Sequence, residues 1–408
     1  MAYSQGLKTR FVEPVYHDGT TRTEFRLPPG VTYASNLRIT NLGAVLPTAT
    51  AASPANKLCG LLGGIRHIYF YQAGRLIDQR REFNRWAAFN MAYNQTNEYN
   101  TGLARSMVQC DWGYEIDGPT GNVYSAGPAA QFITDDPATT STAVLYLKDV
   151  FSFLRSVDWL PDSLAPITII IEWDLRTNTV CPVQDVQSFL QPTLVADYNE
   201  SPKIATAAEK ELSRDIAYNA TVHDVAYVDG INPTAGGPFQ VQQQSLRPRG
   251  MDGLNVQRLL VSAEPTAGLS DQVGRLASAS RFRGTDRFVV NGAQLHGYEG
   301  LSTEARRLQV LSDTYGVVNS LPGLAQPTAV FAANHINAPN GLIGEVSYTG
   351  VPINETVRDL QYEWARTGVY NPGAAGAQTD ELANRPLTLH FFGDTRRVRK
   401  ANGDIFEV

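Results

Sequence analysis

Two strand-like segments and the turn between them decide the fold class, and together they read Ile65-Arg66-His67-Ile68-Tyr69-Phe70-Tyr71-Gln72-Ala73-Gly74-Arg75-Leu76-Ile77-Asp78-Gln79. The first segment is rich in β-branched and aromatic residues, which favour a pleated, half-buried strand. The glycine of the turn permits a positive φ, which the common tight hairpin turns require. Residues 80–93 then predict an amphipathic helix, because their apolar side chains recur with a period near 3.6. The unit is therefore strand, turn, strand and helix.

The same order of elements returns in the second half of the chain. Residues 287–290 predict a strand, Asn291-Gly292 a turn, residues 293–295 a second strand and residues 302–311 a helix. Three pairs of positions match at nearly constant offsets of 218, 219 and 220 residues: Gly74 with Gly292, residues 36–42 with 255–261, and residues 166–169 with 386–389. Such a repeat predicts two similar β-domains joined near residue 200.

Turn signals separate many short strands along the rest of the chain. Seven Asn-Gly or Asp-Gly pairs begin at Asp18, Asp117, Asp229, Asp252, Asn291, Asn340 and Asn402. Further strand patterns lie at residues 168–173, 258–261 and 387–392. Short strands with frequent turns predict an all-β fold of the sandwich or barrel class.

The joint between the two predicted domains is visible in composition. Residues 205–212 have high helix propensity and follow Ser201-Pro202, a suitable helix start. We therefore predict an N-terminal domain over residues 1–200, a helical linker over 201–214 and a C-terminal domain over 215–408. Residues 95–142 and 317–385 carry little regular pattern, and they predict a long loop at an equivalent place in each domain.

Composition limits the function classes. The chain has 408 residues, of which 43% are hydrophobic and 18% are charged, so it has enough apolar content for packed cores. The formal net charge of −6 gives no overall basic field to attract nucleic acid. No apolar run is long enough to span a bilayer, and the N-terminus has no apolar secretion signal, so we expect a protein that is not secreted. The three cysteines are odd in number and far apart, which favours folding in a reducing compartment.

A search for catalytic or metal-binding patterns identifies no site residue. No phosphate-binding loop, dinucleotide-binding glycine triplet or zinc-protease motif occurs. The six histidines stand singly, whereas zinc ligands cluster at short spacings. We interpret His17-Asp18 and His223-Asp224 as surface residues beside turns, His67 and His390 as strand residues, Asp135-Asp136 as a polar loop, and Cys59 and Cys181 as small apolar fillers. The sequence therefore predicts no enzyme and no catalytic, cofactor-binding or metal-ligating residue.

One basic run, Arg396-Arg397-Val398-Arg399-Lys400, lies close to the C-terminus. It has two interpretations. The run would contact phosphate or an anionic lipid surface, or it would form a final strand whose exposed cations protect a sheet edge from pairing with another chain. The second interpretation is the more ordinary one.

Three passages carry a resemblance to a known family: residues 64–70 with the following turn and helix, residues 145–154 with Trp159-Leu160-Pro161 and residues 167–173, and residues 288–295. They resemble the double-jelly-roll major capsid proteins of tailless icosahedral DNA viruses. In that comparison the first passage is similar to the family's C and D strands, the second to its F and G strands, and the third to the matching hairpin of the second jelly roll. The resemblance covers most of the chain and implies two tandem eight-stranded antiparallel jelly-roll sandwiches with a few short helices and long loops.

The resemblance also implies a function. The chain would be a structural virion protein that assembles as pseudo-hexagonal homotrimers, and these capsomers would tile an icosahedral shell through obligate, apolar contacts. Its partners would be further copies of itself, neighbouring capsomers, penton or minor capsid proteins and an internal membrane, with no small-molecule substrate, cofactor or sequence-specific nucleic acid. The chain would be made in the host cytoplasm or nucleus and would reside in the virion. The long loops would form outward towers, and the basic run would be a candidate for the inner face.

A second hypothesis stays open at this point. A carbohydrate-binding β-sandwich would stack sugar rings on aromatic side chains in the long loops, where the candidates are Tyr99, Trp112, Tyr114, Tyr124, Tyr348, Trp364 and Tyr370. The two-domain repeat and the lack of a secretion signal favour the capsid hypothesis.

Overall fold

The computed structural model describes residues 6–47, 53–54, 60–90, 114–116, 123–125, 132–164, 166–175, 180, 185–228, 242–265, 284–297, 300–302, 304–316, 348–366 and 387–408. The strands before residue 200 are β1 (Lys8–Val12), β2 (Tyr16–His17), β3 (Arg22–Arg26), β4 (Val31–Tyr33), β5 (Arg38–Leu42), β6 (Ala44–Val45), β7 (Ser53–Pro54), β8 (Ile65–Gln72), β9 (Arg75–Arg80), β10 (Tyr114–Ile116), β11 (Val123–Ser125), β12 (Phe132–Ile133), β13 (Ala143–Tyr146), β14 (Trp159–Leu160), β15 (Ile167–Trp173), β16 (Ser188–Phe189) and β17 (Thr193–Asn199).

The strands after residue 215 are β18 (Ile216–Val228), β19 (Gln242–Leu246), β20 (Asn255–Pro265), β21 (Gly284–Val290), β22 (Ala293–Gln294), β23 (Tyr348–Thr356), β24 (Leu360–Arg366), β25 (Leu387–Arg399) and β26 (Ile405–Glu407). The helices are α1 (Phe83–Phe89), α2 (Leu147–Val150), α3 (Ser152–Arg155), α4 (Pro202–Leu212) and α5 (Glu304–Tyr315). Short 3₁₀ helices cover Ala34–Asn36, Gly60–Gly64 and Asp162–Leu164.

Eight of the strands before residue 200 form two antiparallel sheets, which we call the first sandwich. Numbered one to eight in chain order, they are β1, β3, β5, β8, β9, β13, β15 and β17. One sheet places them in the order 1-8-3-6 and the other in the order 2-7-4-5. This interleaved order is that of a jelly roll, in which early strands pair with late ones across the sandwich.

The strands after residue 215 repeat this arrangement, and we call them the second sandwich. Here strands one to eight are β18 to β25, and the two sheets again have the orders 1-8-3-6 and 2-7-4-5. Among the described residues, no strand that precedes residue 200 pairs with a strand that follows residue 215. The predicted fold class, two tandem eight-stranded antiparallel jelly rolls, is confirmed. The exact domain boundaries at residues 200 and 215 stay a prediction.

Strand β15 shows why the sequence forms these sheets. Its side chains alternate between buried and half-buried, with Ile167, Ile169, Ile171 and Trp173 on the buried side. The pairing sets Ile169 opposite Phe70 of β8 and Phe25 of β3, which are both fully buried. Because alternate residues of a strand share a face, this register fills the sandwich from one side of the sheet.

The third of the matched pairs that predicted the repeat is wrong. Residues 166–169 lead into β15, the seventh strand, whereas residues 386–389 lead into β25, the eighth strand of the second sandwich. The true counterpart of β15 is β24. The strand letters C and D for β8 and β9 are also wrong, since these are the fourth and fifth strands, E and F. The letters F and G for β13 and β15 are wrong in the same way, since these are the sixth and seventh strands, G and H. Local sequence similarity between β strands does not specify which neighbours they pair with.

Two further expectations need correction. Residues 145–154 continue from β13 into the helical turns α2 and α3 instead of a longer strand. Residues 317–385, expected as one long loop, contain β23 and β24, two strands of the second sandwich. Pro352 obscured the first of these because proline interrupts strand patterns, but β23 lies at a sheet edge, where proline is tolerated.

The helices differ from the sequence prediction mainly at their ends. The helix predicted over residues 80–93 spans Phe83–Phe89 and the one predicted over residues 302–311 spans Glu304–Tyr315. The predicted linker helix begins earlier, at Pro202, where proline occupies the first turn. Its Ala208 packs with Val31 and Trp159 of the first sandwich.

The two repeated hairpins have turns of the same geometry. Asn291 and Gly292 have φ values of 51° and 81°, and Ala73 and Gly74 have φ values of 46° and 77°. Two successive positive φ angles are the hallmark of the type I′ turn that matches strand twist. Asn291 supports its turn further, since its Oδ1 accepts a hydrogen bond from the backbone N–H of Arg358 at 2.7 Å.

Replacing Gly292 by valine tests this turn. A Cβ at Gly292 would meet no atom within 4 Å, so the substitution changes stability through backbone conformation and not through steric crowding. We expect Gly292→Val to lower the free energy of unfolding by about 1–3 kcal/mol, because a β-branched residue is strained at positive φ. Gly292→Asn is the matched control and should lose less, since asparagine tolerates this region. Urea denaturation measures both, and equal stability of Gly292→Val and wild type would contradict the turn assignment.

Candidate functional site

The basic run of residues 396–400 lies where the two sandwiches meet. Arg397 Nη2 contacts Glu407 Oε1 at 2.8 Å, and Lys400 Nζ contacts Asp215 Oδ2 at 2.6 Å. Arg399 is buried and donates to the carbonyl oxygen of Leu212, at the end of α4. Strand β25 pairs with β18 on one side and with β20 and β26 on the other, so it is a central strand. The interpretation of the run as an edge-protecting strand is therefore wrong, and these three cations already have partners within the chain.

Side chains of one sheet in the second sandwich contribute to both cores. Leu259 of β20 belongs to the apolar cluster of the second sandwich, whereas its neighbour Leu260 belongs to the cluster that fills the first. Phe391 and Phe392 of β25 divide in the same way. Because successive residues of a strand point to opposite faces, the sheet β18-β25-β20-β23 packs on its own sandwich with one face and on the first sandwich with the other. We call this second face the junction face.

An ion network crosses the junction face. Asp394 Oδ2 accepts from Arg258 Nε at 2.6 Å, and Asp394 Oδ1 accepts from Thr221 Oγ1 at 2.8 Å. Arg80 of the first sandwich places its Nη1 at 3.9 Å from Asp394 Oδ1, and both side chains are largely buried. Arg80 Nε also donates to the carbonyl oxygen of Val150 at 3.0 Å. One carboxylate thus faces a guanidinium from each sandwich in a region of low dielectric, where such attractions are strong.

Aromatic side chains complete the junction. Tyr218 Oη of β18 donates to the carbonyl oxygen of Ile77 in β9 at 2.7 Å, and its ring meets Phe153 edge-on at 5.4 Å. Tyr315 of α5 meets Phe89 of α1 edge-on at 5.3 Å. Burial first, and then the neighbouring Asp78 carboxylate, raise the pKa of Tyr218. Tyr218 therefore stays a neutral hydrogen-bond donor at ordinary pH.

The structure brings together two histidines that looked unrelated in sequence. His223 Nε2 and His390 Nδ1 are 3.0 Å apart, and the two rings stack with centroids 5.3 Å apart. One nitrogen must carry the proton and the other must accept it. The prediction of His223 as a surface residue beside a turn is wrong, because it is half-buried within β18. The predictions of His390 and His67 as strand residues are confirmed, with His390 buried in β25 and His67 half-buried in β8.

Charged groups of the first sandwich act on His223. Burial lowers the pKa of His223 to about 4, and the positive charges of Arg81 and Arg85 act in the same direction, as does His67. Glu82 opposes the shift. Burial and these positive charges thus hold His223 neutral at the point where the second sandwich meets α1.

The other candidates from the sequence have local structural roles. Asp18 accepts hydrogen bonds from the backbone N–H groups of Thr20, Thr21 and Arg22, and so closes a turn. Asp136 does the same for Ala138, which confirms the polar-loop interpretation. Cys59 and Cys181 lie outside the described residues. In the part of the chain that the structure describes, no three His, Cys, Asp or Glu residues are grouped so as to hold a metal ion, and no helix there has the length and apolar character of a membrane span.

Sequence reasoning missed one buried polar group in the second sandwich. Arg307 Nε of α5 contacts Asp286 Oδ2 of β21 at 2.6 Å, and Tyr362 Oη donates to Asp286 Oδ1 at 2.7 Å. Asp286 is fully buried and Arg307 is 2% exposed. The pair fixes α5 against its sheet. Nothing in the local pattern of residues 286 or 307 distinguishes them from exposed charges, so only the tertiary structure reveals the contact.

Several large apolar side chains are exposed. The most exposed is Phe11 of β1 at 73%, followed by Tyr227 of β18 at 71%. The remaining members of this group are Val15, Tyr16, Phe406 and Val408. Exposed apolar residues at strand edges and chain ends are candidates for contacts with another molecule.

Removing the central carboxylate tests the ion network. We expect Asp394→Asn to lower the free energy of unfolding by about 2–3 kcal/mol, because Arg80 and Arg258 lose their counterion in a largely buried place. Asp404→Asn is the matched control: Asp404 pairs with Arg75 across the same junction, but both side chains are exposed, and such pairs contribute little. Urea denaturation compares the two variants, and losses of equal size would contradict a special role for Asp394.

The histidine pair predicts acid sensitivity. Folded His223 binds fewer protons than unfolded His223 between pH 6.5 and about 4, so its contribution to stability is complete above pH 6.5 and is lost as the pH falls through this window. We expect the free energy of unfolding of wild type to fall by about 2–3 kcal/mol more than that of His223→Gln over this range. Asp78, whose pKa burial raises to about 6, is present in both proteins and cancels. Parallel pH profiles of the two proteins would contradict this expectation.

The architecture places the chain among known folds. No protein-family model and no curated protein sequence matches it. Solved structures do match it, and three examples follow. The major capsid protein of mavirus matches with a TM-score of 0.54 and 12% identity, over 100% of this chain and 90% of that chain. The Sputnik virophage structure matches with a TM-score of 0.57 and 12% identity, over 99% of this chain and 88% of that chain. The PBCV-1 capsid matches with a TM-score of 0.52 and 9% identity, over 98% of this chain and 96% of that chain. The resemblance to major capsid proteins is thus confirmed at the level of the fold, over the full length of the chain.

Proposed function

We propose that this chain is the major capsid protein of a tailless icosahedral DNA virus. One observation carries the proposal: two tandem jelly rolls with identical strand order match capsid structures over 98–100% of the chain. The proposed role is structural rather than enzymatic, and the proposed location is the virion.

The assembly unit in this proposal is a homotrimer. Each chain supplies two similar sandwiches, so three chains supply six and close a pseudo-hexagonal ring through head-to-tail contacts around a threefold axis. The charge-poor composition, 18% of residues, suits the burial of large lateral surfaces. Neighbouring trimers, together with penton or minor capsid proteins, would complete a shell.

The carbohydrate-binding alternative gains no support from the described residues. Trp364, one of its candidate stacking residues, lies in β24 and is 2% exposed. Tyr99, Trp112 and Tyr370 lie outside the described residues. We therefore develop the capsid proposal alone.

The oligomeric state of the purified chain tests the proposal. We expect light scattering coupled to size-exclusion chromatography to give the mass of three chains, and electron microscopy of the same sample to show ring-like particles of hexagonal outline. The particle should persist on dilution, because capsomer interfaces above about 2,000 Å² are obligate. A monomer at all concentrations, with no assembled particles in micrographs, would overturn the proposal.

A further inference from the structure

We propose that the first sandwich carries a second junction face, and that the second sandwich of another copy of this chain binds there. This inference rests on the proposed function and assigns the contact that would join the copies. The proposed surface is the outward face of the sheet β1-β17-β5-β13, which we call the open face.

The open face repeats the polar centre of the junction face. In the second sandwich, Arg258 of the third strand and Thr221 of the first strand both bind Asp394 of the eighth strand. In the first sandwich, Arg38 of β5 contacts Asp197 of β17 at 3.4 Å, and Thr9 of β1 donates to Asp197 at 2.7 Å. Arginine, threonine and aspartate therefore come from the third, first and eighth strands in both sandwiches.

The two faces differ in what lies against them. Asp394 also faces Arg80 of the other sandwich. The contacts of Asp197 among the described residues come from its own sandwich, namely Arg38, Thr9 and Asn36. Within the described ranges, Asp394 thus has a partner from the other sandwich, whereas the partners of its counterpart Asp197 come from the same sandwich.

The apolar side chains show the same difference. On β18, Ile216 and Tyr218 are buried against the first sandwich. On β1, the counterpart of β18, Val12 packs towards the core of the first sandwich, while Phe11 on the opposite face is 73% exposed. Phe11 lies opposite Val195 of β17, on the same face as Asp197. An exposed phenylalanine beside this repeated polar centre is what a junction face without its partner would present.

The internal repeat identifies the occupant. The second sandwich contacts the hairpin of β8 and β9: Tyr218 contacts Ile77 of β9 and Arg399 contacts Gln72 at the end of β8. The counterpart of β9 is β22, in which Ala293 and Gln294 are exposed. If the spatial relation between the first and second sandwich of one chain is repeated between two chains, β22 of one copy lies against the open face of the next. The described residues form two sandwiches. In this proposal the contact therefore comes from another copy of the chain and is heterologous.

Substitution of the exposed aromatic tests the proposal. Phe11→Asp should raise the concentration at which half of the chains are assembled by at least about tenfold, because a charge then replaces an apolar anchor. Tyr227→Asp is the matched control: Tyr227 is similarly exposed but lies outside the open face, and it should leave assembly unchanged. Far-ultraviolet circular dichroism and thermal unfolding confirm that both variants are folded.

Photo-crosslinking provides a second readout that does not depend on weakened assembly. Benzoylphenylalanine at position 11 of the assembled protein should form, on irradiation, intermolecular adducts that peptide mapping assigns to residues 291–297 or 304–316. Adducts confined to the same chain, or to another surface of the partner, would overturn the open-face assignment while leaving trimer assembly intact. A wild-type chain that never assembles would instead overturn the proposed function itself, so the two failures are distinguishable.

Discussion

The central constraint on this structure is that one sheet, β18-β25-β20-β23, must pack on both faces. A sheet with one solvent-exposed face alternates apolar and polar residues, whereas β20 and β25 place consecutive apolar residues at Leu259-Leu260 and Phe391-Phe392. The first sandwich is the second layer that these strands need. The tandem arrangement is thus a packing requirement. Separation of the two sandwiches would break the contacts that Tyr218 makes with Ile77 and Phe153 of the first sandwich.

Polar groups make this packing specific. The apolar contacts of the junction would tolerate sliding, but Asp394 requires Arg80, Arg258 and Thr221 at fixed positions. The hydrogen bond from Tyr218 to the backbone of β9 and the stacked His223 and His390 add two further positional constraints. Buried polar groups that leave no tolerance for misplacement define a single arrangement, since each broken contact leaves a desolvated group without a partner.

The sequence was sufficient for the features that depend on local chemistry. The paired strands of residues 65–79, the Asn291-Gly292 turn and the repeated helix follow from side-chain type and spacing, and the structure contains them. The sequence predicted strand pairing less well, because β15 and β25 have similar local patterns but different positions in the sandwich. The junction could not be predicted at all. Arg80 and Asp394 lie more than three hundred residues apart, and no local signal distinguishes a charge that will be buried from one that will be solvated.

The backbone of strand β23 affects how readily the protein aggregates at high protein concentration. It is the last strand of its sheet and carries Pro352, which has no N–H to offer, while Asn354 has a φ of 55° that interrupts the regular extended backbone. A β strand from a misfolded or half-made neighbour would therefore find no continuous ladder to extend along this border. At high protein concentration, this edge therefore protects against amyloid-like stacking and leaves side-chain contacts as the route of association.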